Sequence, residues 1–400
     1  MWPVSTTVMS WKITSVVGQR LRFVLAALKK SQPFAALCRT AGISRQCGYK
    51  WLRRFRRDGA PGLRDRSRRP RRSPRRTPVR WLQAVRRLRG RRPRWGAKKI
   101  RARLHRQHPR ARLPAVRTIT KWLRRLGLVR RRWRHSRHGP RLALPPLTIP
   151  TRPNEVWTVD FKGWFRTANG TRCDPLTVRD LFSRFLLVVC ILPHQRHAAV
   201  RAVFVRLFRC QGLPKIIRVD NGSPFASSGA WGLSSLSVWW LALGIRVEFT
   251  RPGRPQDNGA HEQMHRELKH DTARPPAPHP LAQQRRSDRW VRYYNHERPH
   301  EALAGRSPGE FYRRSRRRYR AAQPVNYRRG WVVRRVRSNG QIKWQGRLRS
   351  IGEAFAGQAV ALRGHTPGIQ QIYFLHLLLG TLHDRDAGGL RPTKPYRLRP

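Results

Sequence analysis

Val156-Trp157-Thr158-Val159-Asp160-Phe161 is a run of β-branched and aromatic residues that closes on a carboxylate. Such a run predicts a strand. Two more follow, Leu176-Thr177-Val178-Arg179-Asp180 and the stretch from Phe185 to Leu192. A turn at Asn169-Gly170 and another at Ser183-Arg184 join the three into an antiparallel meander. Beyond it the pattern predicts a helix from His197 to about Cys210, a strand from Lys215 to Val219 and a helix near Trp231 to Leu243. A strand from Ile245 to Phe249 and a helix from Gly259 to about Asp271 complete the series. Hairpin strands followed by alternating helices and strands make a mixed α/β sheet covered by helices.

Three acids fall where such a sheet assembles sites. Asp160 lies near the end of the first strand, Asp220 ends the fourth just before Asn221-Gly222, and Glu262 lies in the first turn of the last helix. Strand ends and helix starts are where α/β sheets bind ligands. Carboxylates gathered there repel one another unless a cation neutralises them, so the trio points to a divalent metal. Mg2+ held by a few carboxylates, its other positions left to water and phosphate oxygens, suits phosphodiester chemistry. Neighbouring titratable groups read differently. Asp180 is expected to cap the turn before Ser183-Arg184, and Asp257 reads as a loop or helix-start residue. Glu267, five positions after Glu262, is roughly 500° further around a helix and points away from the site. His265 and Lys269 read as contacts to DNA phosphate. His261 and His265, four apart, have the spacing of a zinc pair, which is set aside here.

The composition defines the partner. Against 19 Asp plus Glu stand 88 Lys plus Arg, a net charge of +69 over 400 residues, which calls for a polyanion. Residues 1–150 carry 44 basic residues and two acids, residues 151–310 carry 24 and 14, and residues 311–400 carry 20 and 3. The middle therefore has ordinary globular balance and most of the carboxylates, while both flanks resemble polyanion-binding modules. A hydrophobic content of 39% with 15 Trp and 14 Phe supports packed cores and excludes wholesale disorder. No apolar run approaches the roughly 20 residues of a membrane helix. The first 17 residues lack the pattern of an export signal, so a cytoplasmic, nucleoid-associated location is expected. Five scattered cysteines without a CxxC pair imply neither a disulfide framework nor a zinc knuckle.

The amino-terminal flank reads as two helical units. After helices at Gln19 to Lys30 and about Pro33 to Thr40, Ala41-Gly42-Ile43-Ser44 supplies a Gly turn, an apolar staple and a Ser cap before Arg45 to Phe55. That is the layout of a helix-turn-helix, with Arg45, Gln46, Tyr49 and Lys50 offered to a major groove. A second such unit opens a helix at Trp95 to Leu104 and places a reading helix at Pro114 to Leu123, with Arg117 and Lys121 on its DNA side. Between the units, Arg64 to Pro78 is a Pro-punctuated basic linker. At the other end, short strands separated by Gly turns from Gly330 to Leu390 suggest a small β-barrel, either a DNA grip built on basic side chains with Trp331 and Trp344 or a purely structural or dimerising module.

The core motifs resemble a known family. Trp157 to Phe161, Val219-Asp220-Asn221-Gly222, the segment from Arg251 to Lys269 that carries Glu262, and Tyr294-Asn295-His296-Glu297-Arg298-Pro299-His300 look like the integrase catalytic core shared by retroviral integrases and insertion-sequence transposases. The likeness runs from about residue 19 to 380. It implies an RNase H-like fold and a triad of two Asp and one Glu, which falls on Asp160, Asp220 and Glu262 as catalytic and metal-binding residues. The 41 residues between Asp220 and Glu262 exceed the spacing of shorter members, and the excess is expected between Ser227 and Trp239. Nothing matches the His/Cys zinc module of retroviral integrases, since His135 and His138 have no cysteine partners, so no zinc is expected.

The chain is thus expected to be multidomain, with all-α helix-turn-helix units over 1–63 and 79–139 joined by a linker at 64–78. An α/β RNase H-like core with a mixed sheet spans 150–312, and a β-barrel tail 328–390. The resemblance implies a DNA transposase that binds terminal inverted repeats and uses Mg2+, with Mn2+ able to substitute, for hydrolysis and strand transfer. Double-stranded DNA and at least one further copy of the chain are its expected partners. A non-catalytic DNA-binding regulator derived from a mobile element is the alternative from another class. A nuclease acting on RNA:DNA hybrids is disfavoured, because an A-form major groove is too narrow for such reading helices.

Overall fold

The computed structural model describes residues 15–30, 32–67, 77–129, 147–251, 259–320, 325–385 and 388–393. Most of the basic linker, His135, His138 and Asp257 lie outside the described residues. The chain divides into two units, Met1–Thr77 and Pro78–Pro400.

In the first unit, α1 (Val16–Leu28), α2 (Phe34–Thr40) and α3 (Arg45–Asp58) enclose Phe23, Val24, Cys38, Trp51, Leu52 and Leu63. Ser44 starts α3 by accepting from the Cys47 amide at 3.2 Å, which satisfies a donor that the helix itself cannot pair. The helices approach so closely at Gly48 that a Cβ there would lie 2.8 Å from Cys38 Sγ and 3.0 Å from the rings of Phe23 and Phe34.

The second unit opens with α4 (Val79–Arg91), α5 (Ala97–Gln107) and α6 (Val116–Arg125), packed around Trp81, Val85, Trp95, Ile100, Leu104, Ile119 and Leu123.

Then comes the sheet, built from β1 (Val156–Phe161), the short β2 (Phe165–Arg166), β3 (Arg172–Asp180) and β4 (Leu186–Leu192), followed after α7 (His197–Gln211) by β5 (Ile216–Val219) and, after α8 (Ser235–Ala242), by β6 (Arg246–Phe249). β4 pairs with β3 and β3 with β1, both antiparallel, whereas β1, β5 and β6 run parallel. The sheet is therefore mixed. Side chains alternate across it. Trp157, Val159, Leu176, Val178, Ile217 and Val219 enter one core with Phe204 and Phe208 of α7 and Leu236 and Trp240 of α8. The opposite face is covered by α9 (Gly259–Thr272) and α10 (Pro280–His296), where Leu186 and Val189 meet Met264, Leu268, Trp290 and Tyr294.

Two details of that arrangement have physical consequences. β4 is an edge strand, and unpaired edges invite association. Here α10 covers it: Asn295 accepts from the Leu186 amide at 2.8 Å and donates to its carbonyl at 2.9 Å, while Gln284 does the same to the Ile191 amide and Val189 carbonyl, both at 2.8 Å. The helix α8 is apolar all round, as a helix buried on both sides must be. Its second face, with Val238 and Leu241, joins Ala230 and Leu233 in the core of the carboxy-terminal domain, and Trp231 donates its indole N–H to the Leu378 carbonyl at 2.7 Å. The stretch from Ser227 onward, where extra length was expected, is thus the seat of the tail.

That tail contains β7 (Val332–Arg335), β8 (Gln341–Trp344), β9 (Arg347–Ser350), β10 (Ala359–Thr366), β11 (Ile369–Phe374), β12 (Leu377–His383) and β13 (Arg391–Pro392). The expected small barrel is not what the pairings describe. Five strands form an open sheet in the order β13-β12-β11-β10-β7, and β8 and β9 form a separate hairpin. Short alternating runs specify strands and one apolar face each, but not closure of the ring. Both sheets close over Ile342, Phe355, Val360, Ile372, Phe374 and Leu382.

Candidate active site

The parity of β1 that sends Trp157 and Val159 to one core sends Thr158 and Asp160 to the α9 side. On β3, Thr177 lies opposite Asp160 in the antiparallel register and shares that side. The parallel register pairs Val156 with Ile216, Trp157 with Ile217 and Thr158 with Arg218. Continued by two residues it would set Asp160 opposite Asp220, which follows the last residue of β5, on the face away from Ile217 and Val219. The loop after Asp220 is anchored by Phe225, which is buried and stacked 5.7 Å from Phe161, and by Asn221 donating to the Thr250 carbonyl at 2.8 Å.

Burial pushes the Asp220 carboxyl above its ordinary range, the Gly222 amide offsetting only part of that. A bound cation would relieve the same penalty. Asp160, near the end of β1, and Asp220, just after β5, offer carboxylate oxygens of the kind a hard divalent ion takes.

Glu262 is solvent-exposed on the flank of α9. The inward stripe of that helix is His261, Met264, His265 and Leu268, and it sets His261 and His265 against Asp160. Ligand atoms of these three lie within 4.8 Å of one another, and among the described residues neither Asp220 nor Glu262 belongs to that group. Beyond the four-residue spacing of the two histidines, His261-Glu262-Gln263-Met264-His265 has the His-Glu-x-x-His order. His261 is wholly buried, its Nε2 2.7 Å from Thr177 Oγ1 and its Nδ1 3.1 Å from Thr158 Oγ1. His265, expected on phosphate, has 11% of its side chain exposed and turns inward, with Nδ1 3.8 Å from Asp160 Oδ2. Burial, reinforced by Lys162 and Arg179, lowers its pKa to about 3, so the ring is neutral.

The other expected positions distribute as follows. Asp180 accepts from the Asn154 amide at 2.7 Å and from the Ser183 amide and hydroxyl at 2.7 and 2.5 Å, a turn cap as read from sequence. Arg45, Gln46, Tyr49 and Lys50 are exposed along α3, and Arg117 and Lys121 along α6. Lys269 is exposed on α9. Trp344 in the tail is half-buried, its indole N–H donated to Asp384 at 2.9 Å. Sequence reasoning missed Thr158, Thr177 and Lys162. Burial, with the nearby Lys269 and Arg274, lowers the Lys162 amine to about 8. The strand parity around Asp160 was the signal for the two threonines.

Known proteins match this layout along the chain. Two family models described as integrase core domain match residues 150–255 and 243–308. A homeodomain-like domain matches 47–123, a helix-turn-helix domain 19–71, and the IS481 family transposase C-terminal domain 331–387. The insertion element IS407 uncharacterized 31.7 kDa protein of Burkholderia multivorans is 30% identical over 194 residues, covering 48% of this chain and 67% of that one. The chain belongs to the insertion-sequence transposases with an integrase core. The insertion element IS476 uncharacterized 39.2 kDa protein of Xanthomonas euvesicatoria is also 30% identical, over 171 residues, but this chain spans only 46% of it. A solved HTLV-2 integrase catalytic core domain in complex with magnesium is 16% identical with a TM-score of 0.31, covering 41% of this chain and 99% of that one, a likeness too weak to add to the assignment. For an insertion-sequence transposase, the integrase core means membership of the polynucleotidyl transferase superfamily, and the helix-turn-helix domains imply DNA binding. Among the described residues no helix is long and apolar enough to cross a membrane.

Proposed function

We propose that this transposase reads the terminal inverted repeats of its own element, hydrolyses a phosphodiester at each end to expose a 3′-OH, and directs that hydroxyl onto target DNA. Asp160, Asp220 and Glu262 are the proposed holders of Mg2+, with Mn2+ able to substitute. What supports this reading is the β1–β5 register, which, continued beyond its last pair Thr158–Arg218, would set Asp160 of β1 opposite Asp220 just after β5. The bound ion supplies Lewis acidity toward phosphate oxygen and acidifies water. The chain's own side chains do the rest. Asp160 is fixed by its pairing with Thr177, and the loop after Asp220 by Phe225 stacked on Phe161. Glu262, exposed on the flank of α9, is the third proposed acid. Lys162 and Lys269 attract the phosphate backbone to the same edge.

In this reading residues 1–63 and 79–139 find the ends, with Arg45, Gln46, Tyr49 and Lys50 of α3 and Arg117 and Lys121 of α6 at DNA. Residues 64–78 follow phosphates, 150–312 cut and join, and 328–390 add basic strands that hold DNA. Two ends must be brought together, which calls for at least a dimer, acting on the bacterial nucleoid. The test is a strand-transfer assay on the element's own end sequences with Mg2+, comparing the natural chain with Asp160→Asn and Glu262→Gln. Joining is expected to fall to background in both. Full joining by either variant removes that residue from the proposed triad, and end binding without any nicking by the natural chain removes the catalytic reading.

A further inference from the structure

Thr177 Oγ1 lies 3.0 Å from the Asp160 carbonyl, 2.7 Å from His261 Nε2 and 2.8 Å from His265 Nε2. A hydroxyl has one proton and two lone pairs. A carbonyl can only accept, so the proton goes to Asp160. Both imidazoles must then donate to Thr177 through Nε2–H, which leaves Nδ1 of each ring with a lone pair. The two lone pairs have different fates. That of His261 lies 3.1 Å from Thr158 Oγ1, a hydroxyl that also stands 3.4 Å from the Arg179 carbonyl; the ring is wholly buried between the two threonines, so it is no ligand despite the His-Glu-x-x-His order. That of His265 faces the Asp160 carboxylate, 3.8 Å from Oδ2. A ring nitrogen with a lone pair and a carboxylate oxygen at that separation can share one cation, since even the small Zn2+ takes imidazole nitrogen at about 2.0–2.1 Å and carboxylate oxygen at about 2.0–2.2 Å.

We propose that His265 Nδ1 is a nitrogen ligand at the Asp160 metal site, which biases this transposase toward nitrogen-tolerant first-row ions such as Mn2+ over Mg2+. The inference rests on the reading that Asp160 holds a divalent ion. Mg2+ favours oxygen throughout, whereas first-row transition ions accept an imidazole nitrogen, Mn2+ the most weakly of them. Thr177 is the positioning residue: by taking both Nε2–H groups it fixes the tautomer and aims the ring, as partners of metal-binding histidines generally do.

The test uses the full chain loaded with Mn2+ alone and pulsed electron paramagnetic resonance, which detects imidazole nitrogen bound to the ion independently of turnover. The natural chain should show nitrogen modulation that changes when its histidines carry 15N, a readout needing no substitution. His261→Gln should keep the modulation and His265→Asn should lose it, with Mn2+ affinity falling about tenfold or more and Mg2+ affinity falling less. If Mn2+ binds, and binding is lost in Asp160→Asn, yet no histidine nitrogen couples to it, the proposed ligand is wrong while the metal reading stands. If Asp160→Asn leaves Mn2+ binding unchanged, the metal reading itself fails. Modulation lost in His261→Gln but kept in His265→Asn overturns the tautomer assignment.

Discussion

Arg298 holds Glu267 with both arms of its guanidinium, Nε 2.7 Å from Oε2 and Nη2 2.6 Å from Oε1. Glu267 is on the side of α9 away from Glu262, so the helix that carries a proposed catalytic acid is fastened from behind. Lys99 of α5 reaches the same carboxylate at 3.6 Å, and Arg94 donates to the Arg266 carbonyl at 3.2 Å, so the second helix-turn-helix unit shares the fastening. The pair is largely buried, 6% and 18% exposed. Removing one partner of such a pair strands the other and costs about 3–5 kcal/mol. Arg298→Ala should therefore lower the melting temperature more than Lys99→Ala does, and equal melting of the two variants would refute the ranking. Burial pushes the Glu267 carboxyl up, but Arg298, then Lys99 and Arg94, pull it below its ordinary 4.5. Its contribution is complete above that value and is lost as the pH falls through the lower folded one.

The clasp of Asn295 on Leu186 gives a second expectation. Leu186 is fully buried, and its amide and carbonyl both depend on one side chain. Asn295→Ala leaves a buried donor and acceptor unpaired, at about 1–3 kcal/mol each. Asn295→Asp can still accept from the amide but sets a carboxylate against the carbonyl. Thermal unfolding should rank the natural chain first and both variants well below it. A variant melting within a degree or so of the natural chain would show that water replaces the clasp.

What could be read in the sequence follows from the same chemistry. β1 and Asp160 were legible because β-branched residues bounded by turns leave little choice of structure. α10 was not, because Gln283, Ser287 and Asn295 occupy its buried stripe, and a search for apolar spacing passes over them. Those residues are polar because they satisfy backbone, Gln283 bridging the Ala277 amide at 2.9 Å and the Thr272 carbonyl at 3.0 Å. α4 carries Trp81, Ala84, Val85 and Leu88 at helical spacing and was lost among its arginines. His265 was read as a phosphate contact from its chemistry alone, although its spacing from His261, Met264 and Leu268 already put it on the inward stripe.

A pH dependence follows from His300. Its ring is buried, and Arg298 Nη1 lies 2.8 Å from its Nε2. The same Nη1 lies 3.0 Å from Nδ1, and since an arginine can only donate, one ring nitrogen keeps a lone pair and the ring is neutral. Burial first, then Arg298 and Lys99, holds the pKa down to about 2. Unfolding lets the ring take a proton below its ordinary 6.5. The group therefore favours the folded state fully above that pH, and its contribution declines as the pH falls toward the folded value, by about 1.4 kcal/mol per pH unit. His300→Gln should flatten the melting temperature between pH 6 and 4 (about the span in which only the unfolded form titrates). An unchanged slope in that variant would assign the acid sensitivity elsewhere.

Close packing at Gly48 predicts a loss confined to the first reading unit. A branched side chain there meets Cys38, Phe23 and Phe34 at once, and such overpacking costs about 1–3 kcal/mol. Gly48→Val should weaken binding to the element's ends while leaving metal-dependent nicking of a short, preassembled end duplex intact. Equal loss of both activities would mean that α3 serves the chemistry directly as well as recognition.

Finally, the exposed faces of α3 and α6 should separate by what they touch. An amide such as Gln46 has donor and acceptor geometry for a base edge, whereas an amine such as Lys121 is a point charge suited to phosphate. Gln46→Ala should reduce binding to the cognate end by about 1–3 kcal/mol and leave random DNA nearly unaffected. Lys121→Ala should weaken both alike and lower the slope of log affinity against log salt by about one. Binding isotherms at several salt concentrations on cognate and scrambled ends give both quantities at once. A salt slope unchanged by Lys121→Ala would take α6 off the phosphates, and parallel losses on both DNAs from Gln46→Ala would take α3 out of base reading.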